Sequence, residues 1–265
     1  MAAKGKSGKQ RLDLLLVERG LVESREVGQR VILAGEVTVD SQLVDKPGAR
    51  VPADAAIHIK AGPRFVSRGG EKLDAALEAF GIAIEGRVCA DVGASTGGFT
   101  DCLLQRGAAR VYSIDVGYGQ LDYALRTDPR VVVMERTNAR HLERLPEAVS
   151  LATVDASFIS LRLLLPVIQG WLTERADVVP LIKPQFEAGR GSVGKGGVVR
   201  DRRTHRRVLR EVLGAAVALG FAVRGLVRSP LQGPAGNIEF LAWLSQGEGL
   251  ADQDLEALIE QGMAE

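Results

Sequence analysis

A glycine-rich loop between a short apolar strand and a helix constrains the fold of this chain more than any other feature. The segment reads VCADV at 88–92, GASTGG at 93–98, FTDCLLQRG at 99–107 and RVYSID at 110–115. This order of apolar run, tight loop, helix and second apolar run predicts one β-α-β unit. In open parallel sheets, ligands bind at the carboxyl ends of the strands. We therefore expect an α/β fold with a ligand site beside residues 93–98.

The rest of the chain from residue 71 onward continues this alternation of strands and helices. Further apolar runs are VVVM (131–134), ATVDAS (152–157), DVVPLIK (177–183), FAVRGLV (221–227) and IEFLAWL (238–244), with helical patterns between most of them. The last two runs are joined by SPLQGPAGN, which is too short for a helical crossover, so they should pair antiparallel. The prediction is a doubly wound, Rossmann-like α/β domain: a mainly parallel sheet with an antiparallel C-terminal hairpin.

The N-terminal segment has a different pattern, of two short helices followed by strands. Ser24 is a good N-cap for the second helix, and Gly35 is placed to end it. EVTVD and the run near Ile57 alternate in the manner of strands. We predict a basic tail over residues 1–10 and a small α+β domain over 11–60. A Gly/Pro/Arg linker at 61–70 then leads to the larger domain, 71–246.

The composition sets broad limits on the kind of protein. The net charge of +1 does not by itself indicate a nucleic-acid binder. The two cysteines, Cys89 and Cys102, fall in apolar stretches, so we expect buried, reduced thiols in a cytoplasmic protein. The start MAAKGKSGKQ lacks the apolar core of a signal peptide, and no apolar run approaches the roughly 20 residues that cross a bilayer. We expect no membrane segment and no metal, and one short C-terminal helix with Leu255, Leu258 and Ile259 packed inward.

The spacing of the glycine-rich loop bears on the cofactor. Dinucleotide-binding loops carry G-x-G-x-x-G, whose backbone amides approach a pyrophosphate. The loop here lacks that spacing, which disfavours a nicotinamide enzyme and suits S-adenosylmethionine, a cofactor without phosphate. Asp115 is expected to accept hydrogen bonds from ribose hydroxyls and Asn138 to contact the adenine, although Asp115 could also be a turn residue. The expected cofactor-binding residues are Gly93, Ser95, Gly97, Gly98, Asp115 and Asn138.

Four charged residues occupy positions where an apolar or turn residue would be simpler. Lys72 lies on the helix before the first strand of the larger domain, and Asp155, Lys183 and Glu239 lie at or near strand ends. Since the carboxyl ends of adjacent parallel strands face one cleft, these side chains should converge. Taken alone, Glu239 could equally be an outward-facing strand residue.

Arginines are candidates for contacts with phosphate, because the guanidinium fork matches phosphate oxygens. Three of them, Arg202, Arg203 and Arg206, open a helix at the end where the dipole disfavours positive charge, which suggests an anionic partner. The alternatives are ion pairs with Asp201 and nearby acids, and simple surface solubility. The expected RNA-binding residues are Arg11, Arg25, Arg30, Arg68, Arg202, Arg203 and Arg206.

Several motifs together resemble one known family. VSRGGEKL, ADVGASTGGFTDCLLQRGA, VDASFISL, LIKPQFEAGR, GKGGVVRD and the NIEF strand look like the TlyA family, also labelled hemolysin-like, which carries an FtsJ-type ribose methyltransferase domain. Residues 11–60, with RLD, SRE and AGEVTVD, resemble the alpha-L RNA-binding domain. That domain usually has Asn-Gly where this chain has Asp40-Ser41, so we expect a different hairpin turn.

The resemblance implies methylation of ribose 2′-hydroxyls, of cytidine, in ribosomal RNA or ribosomal subunits. It also implies a catalytic tetrad of Lys72, Asp155, Lys183 and Glu239. A lysine acts as a base only when its amine is uncharged, so its pKa must lie below the ordinary value of about 10.4. Our hypothesis is that Lys183 is the general base once cofactor is bound, because Lys72 and the sulfonium favour the neutral amine. Asp155 and Glu239 act in the opposite direction, because their negative charges favour the charged lysine. They also orient the lysine and the hydroxyl.

Two other classes of function remain as alternatives. One is a non-catalytic, RNA-binding ribosome assembly factor, which the intact loop and tetrad disfavour. The other is a hemolysin-like activity, for which the sequence shows no export signal or membrane segment. The target nucleotide, the subunit modified and the oligomeric state are left open by the sequence.

Overall fold

The computed structural model describes residues 8–60, 62–246 and 255–264. The chain divides into two compact units, with the division between Arg64 and Phe65. Each unit has its own hydrophobic core, built from residues that the sequence patterns place on apolar helix and strand faces.

The smaller unit consists of two helices and five short strands among its described residues. They are β1 (Lys9–Arg11), α1 (Leu12–Glu18), α2 (Arg25–Leu33), β2 (Val37–Val39), β3 (Gln42–Leu43), β4 (Arg50–Pro52) and β5 (Ile57–Ile59). Strands β3, β2 and β5 form an antiparallel sheet, and β1 pairs with β4. Ser24 caps α2, as predicted, by accepting a hydrogen bond from the Val27 N–H. Ile32 of α2 is completely buried with Leu12 and Leu16 of α1.

Two details of this unit differ from the sequence prediction. Lys9 and Gln10 were assigned to a tail, but they belong to β1, where their backbone pairs with Pro52 and Val51; residues 1–7 of that tail lie outside the described residues. The turn between β2 and β3 was expected to differ from an Asn-Gly hairpin. Asp40 and Ser41 nevertheless both have positive φ, 48° and 65°, as the two central residues of a type I′ turn require.

The larger unit alternates strands and helices along the chain. Its helices are α3 (Arg68–Phe80), α4 (Gly98–Gln105), α5 (Tyr123–Thr127), α6 (Leu161–Gln169), α7 (Pro184–Glu187), α8 (Arg202–Ala218) and α9 (Leu255–Ala264). Its strands are β6 (Val88–Val92), β7 (Arg110–Ile114), β8 (Val131–Met134), β9 (Val149–Val154), β10 (Leu172–Ile182), β11 (Ala222–Arg228) and β12 (Phe240–Gln246). Helix α3 begins at Arg68, inside the segment predicted as linker.

The strands of the larger unit form one sheet in the order β11-β12-β10-β9-β6-β7-β8, within the part of the chain that the structure describes. Strands β6 to β10 run parallel to one another, and β12 runs antiparallel to both β10 and β11. The predicted antiparallel pairing of the last two strands is therefore confirmed, with β12 inserted inside the sheet and β11 at the edge. This is the predicted Rossmann-like fold.

The core lies on both faces of the sheet and against the C-terminal helix. Cys89 and Cys102 are both completely buried and form no disulfide among the described residues, as expected. Burial raises the pKa of the Cys89 thiol to about 12, so this thiol stays protonated. In α9, Ile259 is fully buried and Leu255 and Leu258 are partly buried against the core, which confirms the predicted C-terminal helix.

Candidate active site at the carboxyl edge of the sheet

The topology brings three of the four predicted catalytic residues to one edge of the sheet. Asp155 follows β9 directly, and Lys183 follows β10. Glu239 directly precedes β12, and because β12 runs antiparallel, its start lies at the edge where β9 and β10 end. Glu239 is only 1% exposed, so the alternative of an outward-facing strand residue is wrong.

The four charged side chains form two ion pairs. Lys72 Nζ, from the buried face of α3, lies 2.6 Å from Glu239 Oε2. Lys183 Nζ lies 2.6 Å from Asp155 Oδ1 and also donates to Ser157 Oγ at 2.9 Å. We expected both carboxylates to act on Lys183, but each lysine has its own carboxylate partner. The carboxylate of Glu239 also accepts a hydrogen bond from Gln185 Nε2 at 3.4 Å.

Burial raises the pKa of the Asp155 carboxyl above its ordinary value. The nearby Lys183 and Lys72 lower it in part, and the charge of Glu239 adds to the increase. A carboxylate with a raised pKa binds a proton more readily than an exposed aspartate does. Lys183 Nζ, 2.6 Å away, is the cation that opposes this effect of burial.

A cavity of about 500 Å³ opens beside Asp155, which is one of the residues that line it. It is lined by the predicted residues Gly93, Ser95, Asp115 and Asn138, by Asp155, and by apolar side chains from β7 and α6. Its volume falls within the range of roughly 300–1000 Å³ that is typical of small-molecule sites. Four of the six predicted cofactor residues thus lie on one cavity.

Hydrogen bonds fix the polar residues of this cavity. Asp115 accepts from the backbone N–H of Ser95 at 2.8 Å and from that of Gly117 at 2.7 Å. The Asn138 side chain accepts from the Arg140 N–H, which leaves its amide N–H groups as donors. Gly93 has a φ of +85°, and a Cβ there would lie 2.7 Å from the Asp155 carbonyl oxygen. This close approach of backbone requires glycine.

The two remaining predicted cofactor glycines lie elsewhere. Gly97 is absent from the lining of the large cavity, and a Cβ on it would meet the side chains of Leu121 and Leu125. Gly98 lines a smaller cavity of about 120 Å³ with Ser67 and Asp155, and a Cβ there would lie 2.8 Å from the Gly70 backbone nitrogen. Both glycines thus allow close packing around α4, which is a structural reason for the glycine pattern that the sequence did not reveal.

Some site residues were missed by the sequence analysis. Phe158 lines the cavity although its side chain is 91% exposed, and its backbone has a φ of +64°. Its ring lies 4.8 Å from that of Phe186, centroid to centroid. Ser157, which accepts a hydrogen bond from Lys183, and Gln185, which donates one to Glu239, were also missed. The only available signal was their position beside Asp155 and Lys183 in the chain.

The predicted RNA-binding arginines fall into two groups with different surroundings. In the smaller unit, Arg11 and Arg25 both bind the carboxylate of Asp13, whereas Arg30 is exposed. In the larger unit, Arg68 is exposed in the first turn of α3.

The arginines of α8 have partners within the protein. Arg206 pairs with Glu256 and Glu260 of α9, and Arg202 lies 3.5 Å from Glu260. Arg203 is exposed, and the structure shows no ion pair for it among the described residues. The unfavourable position of Arg202 and Arg206 was our argument for an external anion. Since α9 supplies acidic partners, the position of these two arginines does not by itself require an external anion, and their contact with RNA stays a prediction.

Residues 8–60, 62–246 and 255–264 contain neither a cluster of metal ligands nor a membrane-spanning helix. No group of three or more His, Cys, Asp or Glu side chains there is placed to hold a metal ion. No helix there has both the length and the apolar character needed to cross a membrane.

The sheet order with its reversed β12, and the cavity beside the two lysine–carboxylate pairs, define the larger unit as a Rossmann-like methyltransferase domain. Residues 65–246 match the model of the FtsJ-like methyltransferase family, and residues 10–57 match the S4 domain. The chain therefore belongs to the FtsJ-like methyltransferase family and carries an N-terminal S4 domain.

Relatives with curated names support this assignment. The 16S/23S rRNA (cytidine-2′-O)-methyltransferase TlyA of Mycobacterium tuberculosis is 48% identical over 96% of this chain and 97% of its own length. Hemolysin A of Brachyspira hyodysenteriae is 43% identical over 88% of this chain and 98% of its own. The solved structure of a hemolysin-named protein from Streptococcus thermophilus superposes with a TM-score of 0.72, at 42% identity and 97% coverage of both chains.

Proposed function

We propose that this protein transfers a methyl group from S-adenosylmethionine to a ribose 2′-hydroxyl, of cytidine, in ribosomal RNA. The observation that carries the proposal is the pair of lysine–carboxylate contacts beside the 500 Å³ cavity. The 48% identity to TlyA supports ribosomal RNA as the substrate. An rRNA substrate also implies that the enzyme works in the cytoplasm, where ribosomes are assembled.

The residues that line the cavity fit S-adenosylmethionine. Asp115 offers carboxylate oxygens to ribose hydroxyls, Asn138 offers amide donors and acceptors to a base, and Gly93 leaves room for ligand against the backbone. When bound, this cofactor supplies a methyl group made electrophilic by its sulfonium. Ile114, Val116 and Leu164 provide the apolar part of the lining.

Lys183 and Asp155 provide the proton acceptor in this proposal. The ribose hydroxyl must lose its proton as its oxygen bonds to the methyl carbon. In this proposal Lys183 Nζ accepts the hydroxyl proton as an uncharged amine, and Asp155 Oδ1, 2.6 Å away, orients it. General-base assistance of this kind contributes about 10²- to 10⁴-fold to the rate.

Lys72 and Glu239 have a supporting role. Their pair is almost fully buried, with side-chain exposures of 11% and 1%. The charge of Lys72 lowers the pKa of the Asp155 carboxyl, whereas that of Glu239 raises it.

The test is methyl transfer from radiolabelled S-adenosylmethionine to unmodified ribosomal subunits, beside the Lys183→Ala variant. Label that appears in RNA only with the intact protein, at a position resistant to alkaline cleavage, supports a ribose methyltransferase and identifies its target. Cofactor binding with no label on either subunit would favour the assembly-factor alternative. Label released by alkali from the modified position would indicate a base as the target.

A further inference from the structure

One buried carboxylate in the smaller unit binds the side chains of three residues that lie apart in the sequence. Asp13, in the first turn of α1, is completely buried. Arg11 donates to it from Nε at 3.0 Å and from Nη2 at 2.8 Å. Arg25 donates from Nε at 3.0 Å, and Gln29 from Nε2 at 3.1 Å. The start of α2 is thereby tied to the start of α1.

Both arginines remain available to solvent despite these bonds. Their side chains are 41% and 49% exposed, while that of Asp13 is 0% exposed. Arg11 Nη1 and both Nη groups of Arg25 make no hydrogen bond within the described part of the chain. The edge of each guanidinium that faces away from Asp13 can therefore donate to an external acceptor.

The charges of this cluster leave it positive. Two guanidinium groups and one carboxylate have a formal sum of +1. Without the carboxylate, the two like charges would repel each other and their long side chains would sample many rotamers. Side chains that are already ordered lose less entropy when they bind.

We propose that Asp13 is a positioning residue that holds Arg11 and Arg25 as a preformed site for RNA phosphates. The inference rests on the proposed function, which makes RNA the substrate, and it adds the residue that organises its N-terminal contact. Phosphate fits because guanidinium groups bind its oxygens with paired N–H donors, and a fixed orientation makes such pairing selective. Asp13 itself makes no contact with RNA.

The proposal predicts an effect opposite in sign to simple electrostatics. Asp13→Asn removes one negative charge near the phosphates, which by charge alone should tighten RNA binding. If Asp13 positions the arginines, Asp13→Asn weakens binding to transcribed ribosomal RNA by about ten-fold, the order expected for loss of a charged hydrogen bond. Glu18→Gln, on the exposed end of the same helix, makes the same charge change away from the arginines and is the matched control.

A double-mutant cycle separates positioning from loss of folding. In an Arg11→Ala/Arg25→Ala background, adding Asp13→Asn should change RNA affinity no further, because its targets are gone. Continued weakening there, or tighter binding by Asp13→Asn alone, overturns the proposal. Near-normal RNA binding by the double arginine variant also overturns it, while label transfer at saturating RNA tests the methyltransferase function separately.

A second comparison leaves Asp13 unchanged, so it stands even if Asp13→Asn fails to fold. Arg25→Lys keeps the charge but loses the Nε–H that bonds to Asp13 and the planar fork that would face the phosphate, and it should weaken RNA binding several-fold. Arg175→Lys, at an exposed position near the start of β10 with no ion pair among the described residues and outside the predicted RNA-binding set, should bind as the parent protein does. Equal affinity of the two lysine variants would show that only charge matters, which contradicts the proposal.

Discussion

Lys72 and Glu239 form a buried ion pair with an Nζ–Oε2 distance of 2.6 Å, although 167 residues separate them in the chain. One residue comes from the helix that precedes the sheet, and the other from the start of its reversed strand. The contact thus fixes the first helix of the larger unit against its last strand, at the edge where the catalytic groups lie.

Removing one partner of this pair should cost far more stability than removing both. Lys72→Met leaves the buried carboxylate of Glu239 without its cation, which typically destabilises by about 3–5 kcal/mol. Lys72→Met/Glu239→Gln should recover most of this loss, because no charge is then buried alone. Both tryptophans, Trp171 and Trp243, lie in the larger unit, so their fluorescence during urea unfolding measures it directly. A Lys72→Met variant as stable as the parent would contradict this.

Lys183→Ala should abolish methyl transfer and leave S-adenosylmethionine affinity nearly unchanged, because Lys183 is absent from the lining of the large cavity. A loss of activity of about 10²-fold or more is expected for removal of a general base. Ser157→Ala is the graded comparison, since it removes one hydrogen bond at 2.9 Å and keeps the pair with Asp155. Methyl transfer is measured with radiolabelled cofactor, and cofactor affinity is measured by calorimetry, for each variant. Loss of cofactor binding in Lys183→Ala would argue against a role in chemistry.

Gly93→Ala should impair cofactor binding, whereas Gly86→Ala should not. Both positions have positive φ, +85° and +71°, so both variants carry a similar backbone strain. At Gly93 the added Cβ also lies 2.7 Å from the Asp155 carbonyl oxygen, whereas nothing lies within 4 Å at Gly86. A shift of the loop should lower affinity for S-adenosylmethionine by about ten-fold or more. Equal affinities of the two variants would show that the close approach at Gly93 is unimportant.

Asp91 should give the larger unit a distinctive pH dependence. Burial raises the pKa of this carboxyl to about 7, against 3.8 for an ordinary aspartate, although Thr100 and Thr153 donate hydrogen bonds to it. Between these two values the folded protein holds a proton that the unfolded chain releases, so its stability decreases as the pH rises from about 4 to 7. Asp91→Asn, which is neutral throughout, should lack this decrease. Parallel stability curves for the two proteins, from urea unfolding at several pH values, would contradict the assignment.

Local sequence patterns predicted the strands and helices of the larger unit well, because each apolar run has the period of its element. The boundaries shifted where polar residues continue a strand. β10 begins at Leu172 rather than at 177, through a stretch whose charged residues give no apolar signal. The antiparallel pairing of β11 and β12 followed from a short connection, but the position of β12 between β10 and β11 depends on long-range pairing.

The sequence predicted which residues belong to the candidate site better than it predicted how they are arranged. Charged residues at strand ends pointed to one cleft, and the structure brings Asp155, Lys183 and Glu239 there. Which carboxylate pairs with which lysine depends on the direction of β12 and on the buried face of α3, and neither is visible in a local pattern. The ion pairs between α8 and α9 were missed for the same reason, since Arg206 and Glu256 are distant in sequence.

The reversed strand β12 also determines when the active site is completed during synthesis of the chain. During synthesis the domain grows from its N-terminus, and the strands that carry Asp155 and Lys183 leave the ribosome well before Glu239 does. Until residue 239 is available, Lys72 has no carboxylate partner, and β10 has no neighbour on its outer side. An incomplete chain therefore lacks the finished site, and methylating activity should begin only with a nearly complete polypeptide.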